Sequence, residues 1–147
     1  YRRGDCVSIN YGDKYLAVLI SKKFNKFYDL TLLQYCDNRK PDIDNFLKGK
    51  CFGTRFGTWD ELEYAVNVRM IECKYFDNNS EIEKVGSVNL ISSVMPDGYA
   101  YLENTDELLE YYLKQLPIRI EKSKNAEKFP DLAFASEHLI DMKNIIE

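Results

Sequence analysis

One imidazole, four thiols and many carboxylates are what this chain offers for chemistry. A nucleophile needs a base within reach and a third group to orient that base. His138 is the single histidine. It falls with Ala135, Leu139, Met142, Ile145 and Ile146 on the apolar side of what reads as a terminal helix, the place of a packing side chain. Cys6, Cys36, Cys51 and Cys73 include no Cys-x-x-Cys pair, and one histidine cannot complete a zinc set with them. Free, reduced thiols in a cytoplasmic protein are the expectation. Asp106 with Glu107, and Glu81 with Glu83, are neighbours along the chain and do not converge on one substrate. Asp42, Asp44 and Asn45 lack the later glycine and closing glutamate of a calcium loop. The glycines of Cys51 to Trp59 are not in phosphate-cradling order, and no Lys-Ser or Lys-Thr follows them. No catalytic residue, metal site or cofactor is expected, and the chain reads as a non-enzyme.

Lys22, Lys23 and Lys26, interleaved with Phe24, Phe27 and Tyr28, have more to offer a ligand. Rings stack on bases while ammonium groups meet phosphates. The same pattern arises where a strand buries its rings beside a solvated loop. Charge weighs against nucleic acid as the main partner. Residues 1–73 hold 12 basic and 10 acidic side chains, whereas residues 74–147 hold 8 and 14, for a net −4 overall. The acidic half repels a phosphate backbone and suits a basic protein.

The elements that must position these residues are mostly strands. With 45% apolar and 14% aromatic residues over 147 positions, the chain can bury a core, and no linker or repeat divides it. One domain over residues 1–147 is expected. Its longest apolar run, Leu16 to Ile20, is too short to cross a membrane. Val7, Ile9 and Tyr11 alternate with Ser8 and Asn10, the period of a half-buried strand. Gly12-Asp13-Lys14 supplies a turn, and Tyr15 to Ile20 reads as a more fully buried strand. A polar break at Lys22 to Lys26 precedes a third strand, Phe27 to Tyr35, interrupted by Asp29 and Gln34. Three such strands make a meander.

Further on, Pro41 to Lys48 predicts one or two helical turns stopped by Gly49. Bulges or bends are expected over Cys51 to Trp59. Tyr64 to Phe76 reads as a long strand with Val66, Val68 and Met70 on one face. Turns are expected at Asp77 to Ser80 and at Pro96-Asp97-Gly98, with one or two strands within Ile82 to Ile91. Thr105 is expected to cap a helix whose apolar stripe is Leu108, Leu109, Tyr112, Leu113 and Leu116, ended by Pro117. Ile118 to Phe129 is expected to begin as a short strand, and a last helix to open near Asp131. On that helix Ile140 falls among Glu137, Asp141 and Asn144, on the side that should be wet.

The opening also resembles a family. Gly4-Asp5-Cys6-Val7, Tyr15-Leu16-Ala17-Val18 and Phe27-Tyr28-Asp29-Leu30 look like the start of bacterial immunity proteins of the immunity protein 26 family. The shared pattern is a Gly-Asp before a strand, a short hairpin, and a strand near an aromatic-aromatic-Asp. The strand Tyr64 to Glu72, followed by Val85-Gly86, stands at a distance comparable to that family's second block. The resemblance reaches to about Leu90, and the acidic part from Tyr99 onward departs from the pattern. It implies a non-enzymatic antidote that binds a cognate toxin in the producing cell or its siblings, and it carries over no catalytic residue.

The expectation is therefore an α+β domain, an antiparallel, barrel-like sheet packed by C-terminal helices, acting as an immunity protein. A small module that binds single-stranded RNA or a peptide is the alternative. The candidate toxin contacts are Glu103, Asp106, Glu107 and Glu110 on one acidic face. Glu137, Ile140, Asp141 and Asn144 make the other, with Ile140 as its apolar anchor.

Overall fold

A strand with no polar face must be covered on both sides, and the run Tyr15 to Ile20 imposes that condition on the whole architecture. A computed structural model of the protein describes residues 1–56, 63–128 and 136–147. The run lies in β2 (Tyr15–Phe24), between β1 (Asp5–Asn10) and β3 (Phe27–Asp37) and antiparallel to both. Its residues alternate between two cores. Leu16, Val18 and Ile20 join Val7, Ile9, Tyr28 and Leu30 in the first, while Ala17 and Leu19 join Cys6 and Leu33 in the second. The three expected strands form. The lysine segment is strand rather than loop, because Phe24 pairs with Phe27 across a tight turn in which Asn25 takes φ 54°.

Next come α1 (Ile43–Leu47), β4 (Lys50–Phe56), β5 (Glu63–Glu72), α2 (Cys73–Asp77), β6 (Ile82–Ser87), β7 (Met95–Leu102), α3 (Leu108–Lys128), β8 (Ser136–Asp141) and a 3-10 turn, Met142–Asn144. The side chains of Asp42 and Asn45 each accept from the other's backbone N–H and so open α1, where a helix was expected. The strands form one sheet, ordered β6-β1-β2-β3-β4-β5-β7, with β8 added on β4. One edge of β5 serves two partners: Glu63 to Val66 pair with β4, and Arg69 to Glu72 with β3. Only the β5–β7 pairing is parallel among the described strands. The class is mixed α and β as expected, but the sheet does not close into a barrel, and its path ends at β6 and β7. The first core is covered by Phe76 of α2 and by Leu108 and Tyr112 of α3. The second is covered by Phe46 of α1, Val88, Leu90, Met142 and Ile145.

The C-terminal part departs most from expectation. Pro117 lies inside α3, which continues to Lys128 in place of the expected strand. An interior proline costs a helix about 3 kcal/mol, and contacts beyond it hold the helix together. Arg119, buried, donates to the carbonyls of Gly53 at 3.0 Å and His138 at 3.3 Å, with its guanidinium 4.7 Å from the centre of the Phe52 ring. Ile120 continues the packed side, whereas Leu113 is exposed. Ahead of α3, Asn104 Oδ1 accepts from Asp106 N at 2.9 Å. Thr105 is buried, its carbonyl accepting from Leu108 N, the first residue of α3, at 3.2 Å and from the Tyr11 hydroxyl at 2.6 Å, while its side-chain oxygen accepts from Asn79 at 3.3 Å. Pro96-Asp97-Gly98 is not a turn. It lies in β7 where the register with β5 shifts between Asn67 and Arg69, and Gly98 takes φ 69° there.

Where a last helix was expected, the chain forms β8, with Ile140 opposite Cys51 and His138 opposite Gly53. Leu139 enters the first core and Ile140 the second, the two-residue period of a strand. Ile140 is 1% exposed and cannot anchor a partner. It lies over Gly53, where a Cβ would strike its side chain and the carbonyl of Ala65. Asp131 and Ala135 lie outside the described residues, as do Gly57 to Trp59. Ile140→Asp should therefore destabilise the domain by about 4 kcal/mol or more, and Ile140→Val by about 1 kcal/mol. Urea denaturation followed by circular dichroism checks both. An unchanged midpoint for Ile140→Asp would take the residue out of the core.

Candidate functional site

The residues expected to contact a partner are not gathered into two faces. Glu103, Asp106, Glu107 and Glu110 are exposed at the start of α3. Leu113, Lys114, Pro117, Ile118 and Glu121 are exposed further along it, so the outward side of α3 mixes acidic groups with apolar ones. The second proposed face dissolves. Asp141 and Asn144 are half-buried around the end of β8, Ile140 is in the core, and the Glu137 side chain lies outside those described.

A different surface forms where the second core runs out. Phe24 and Phe27 sit 6.0 Å apart between ring centres, and Phe27 meets Tyr101 of β7 edge-on at 6.3 Å. The Lys22 ammonium lies 5.1 Å from the Phe24 ring centre, Lys26 5.8 Å from Phe27, and Lys74 4.9 Å from Tyr75. Met95 and Tyr99 are each 54% exposed and Tyr101 49%. Of the lysine-aromatic pattern read from the sequence, Lys22 and Lys26 lie over Phe24 and Phe27, whereas Tyr28 is buried in the first core. The outer edge of β7 pairs with no strand among those described.

Beside this surface a cavity of about 460 Å³ opens on the same side of the sheet. Its lining sorts by chemistry into cations (Arg3, Lys22, Lys23), hydroxyls (Ser21, Ser92), apolar groups (Val66, Val94, Pro96) and one acid, Asp29. Arg3 is held in place by donating to the carbonyls of Leu90 at 3.3 Å and Ile91 at 2.7 Å. Asp29 is fully buried, and neither carboxylate oxygen has a hydrogen-bond partner among the described residues. The adjacent Ser21 hydroxyl donates instead to the Asp29 backbone carbonyl at 3.2 Å. Thr31 Oγ1 lies 3.0 Å from both the Ser21 hydroxyl and the Asn67 carbonyl. Burial pushes the Asp29 carboxyl above its ordinary value, while the positive charge of Lys22 pulls the other way.

The remaining reactive groups are quiet. All four cysteines are free thiols, and burial pushes Cys6 and Cys51 up to about 12, away from the thiolate form that reacts. His138 is buried in β8. Among the described residues no cluster of His, Cys, Asp and Glu is arranged to hold a metal, and no helix is long and apolar enough to cross a membrane. Sequence reading missed the cavity and Arg119. Asp29 left a signal as a charge interrupting an apolar strand, whereas Arg119 sat in a segment that read as the start of a short strand. No family model, curated protein or solved structure matches the chain.

The raised Asp29 carboxyl has a consequence for stability. In the unfolded chain an aspartate titrates near pH 4, and the folded chain holds that proton to higher pH. Between the two values the folded state binds more protons, so stability falls as pH rises through that window. Asp29→Asn cannot ionise and should escape the loss. Its Tm should exceed that of the wild type at pH 7, with the gap narrowing toward pH 4. Thermal unfolding across this range checks the sign. A lower Tm for the variant at pH 7 would mean that the carboxylate is satisfied in the folded chain.

Proposed function

We propose that the chain is a non-catalytic binding protein that neutralises a cognate bacterial toxin by covering it, the role that the resemblance of its opening strands implies. The uncovered aromatic end of the sheet carries this reading. Phe24, Tyr99, Tyr101 and Met95 remain in solvent on a rigid strand scaffold. Aromatic residues and methionine are enriched at interfaces, and aromatic anchors supply much of the energy there. The lysines around them favour acidic groups on the partner. A basic toxin, such as a nuclease, would be steered instead to the outward side of α3, where Asp106, Glu107 and Glu110 flank Leu113. A second reading, binding of single-stranded RNA or a peptide, is favoured by the lysine-over-ring geometry of Lys22 and Lys26.

A toxin domain encoded beside this chain should form a one-to-one complex measurable by titration calorimetry. Phe27→Ala with Tyr101→Ala should weaken it about 1,000-fold, the loss of two hot spots of about 2 kcal/mol each. Glu107→Lys with Glu110→Lys should change it less than about 3-fold. The reverse ranking would move the contact to α3. Absence of any complex, together with salt-sensitive binding of an oligouridylate, would replace the toxin reading with the RNA one.

A further inference from the structure

We propose that the cavity over Asp29 binds an α-amino acid with an apolar side chain, its ammonium group on Asp29 and its carboxylate on Arg3, Lys22 and Lys23. The site shares Lys22 with the ring surface, but the proposal does not depend on the toxin reading.

A carboxylate removed from water without a donor is among the costliest groups a fold can carry. Protonating it does not remove the problem, since the neutral acid then has a donor to place as well. Asp29 is fully buried, lacks a hydrogen-bond partner among the described residues, and lines a cavity that opens to the surface. A cationic group entering that cavity would supply the missing donors. An ammonium carries three, enough for the carboxylate and for the Ser92 hydroxyl in the same lining.

The rim sets the second condition. Arg3, Lys22 and Lys23 would repel a lone cation, and Asp29 would repel a lone anion. A ligand satisfies both ends only if it carries both charges. Rim and acid are close, because Lys22 and Asp29 face each other across β2 and β3 and line the same cavity. Cation and anion on one carbon suit that proximity. Arg3 is already positioned by two backbone carbonyls, so its remaining N–H groups present a fixed fork to a carboxylate. The wall of Val66, Val94 and Pro96 completes the recognition by accepting an apolar side chain. A volume of about 460 Å³ lies within the usual size of small-molecule sites.

Titration calorimetry near pH 7 with valine, leucine, isoleucine, methionine and phenylalanine, each in turn, tests the assignment. At least one should bind, one per chain, with a Kd of about 1 mM or tighter. Against leucine, the comparison ligands are isopentylamine, which lacks the carboxylate, and 4-methylpentanoate, which lacks the ammonium. Either truncation of the best-bound amino acid should weaken binding about 30-fold. Asp29→Asn should abolish binding while the domain stays folded by circular dichroism, and Arg3→Ala should weaken it about 10-fold. The proposal fails if none of the amino acids binds at about 10 mM. It fails equally if the amine or the acid alone binds as tightly as the parent, or if folded Asp29→Asn keeps wild-type affinity.

Discussion

Two-sided burial of β2 is the constraint from which the rest of the structure follows. Leu16, Val18 and Ile20 demand one cover and Ala17 and Leu19 another. A single antiparallel meander cannot provide both. The first cover is substantial, since α3 is long and brings Leu108 and Tyr112 down together. The second is assembled from short pieces: one turn of helix around Phe46, the segment bearing Val88 and Leu90, and the C-terminal Met142 and Ile145. It ends before the β2–β3 hairpin does. Past that limit no described element roofs the sheet, which leaves Phe24 and Tyr101 exposed, Phe27 half-buried and Asp29 beside a cavity. The candidate site is a product of where the second cover stops.

Arg119 shows how the first cover is kept in register. Burying a guanidinium is costly unless its donors find acceptors. Here two are met by the carbonyls of Gly53 and His138, on β4 and β8. The cation rests against Phe52, which in turn stacks on Tyr112 at 5.6 Å with the planes 13° apart. One side chain thereby ties helix, inner strand and C-terminal strand together. The same tie explains why the helix survives its proline. The residues that fix its position lie on both sides of Pro117, so ending the helix there would release Arg119 from the core.

The legible parts of the sequence were those whose pattern is local. Alternation at Val7 and Ile9, the helical spacing of Ile43, Phe46 and Leu47 before Gly49, and the β-branched run of β5 each state their structure within a few residues, although Cys73 to Phe76, read as the end of that strand, form α2. The end of the chain does not. His138, Leu139, Met142 and Ile145 sit at helical spacing, yet Leu139 and Ile140 also satisfy a strand buried on both faces. Pairing with β4 decides between them, and that pairing needs the bare backbone of Gly53 beneath Ile140. Nothing near Ile140 in sequence announces it. The cavity was illegible for a similar reason. Its floor is visible as the odd acid in an apolar strand, but its rim and wall come from Arg3, Val66 and the segment around Val94, which only the fold assembles.

Charge follows the same division of the sheet. The lysines of the hairpin belong to the face that the second cover leaves open. The acidic start of α3 belongs to the face that the first cover closes. The imbalance counted along the sequence, slightly basic through Cys73 and strongly acidic from Lys74 on, is visible in these two places. Long-range attraction orients an approaching partner, while buried rings determine how tightly it stays. On the proposed reading the two roles fall to different side chains. Lys22 and Lys26 project over Phe24 and Phe27 and can turn a partner toward them. On α3, by contrast, acidic groups surround only scattered apolar side chains such as Leu113 and Ile118. Steering toward α3 would bring a partner to a surface with few anchors, whereas steering toward the hairpin brings it to the rings.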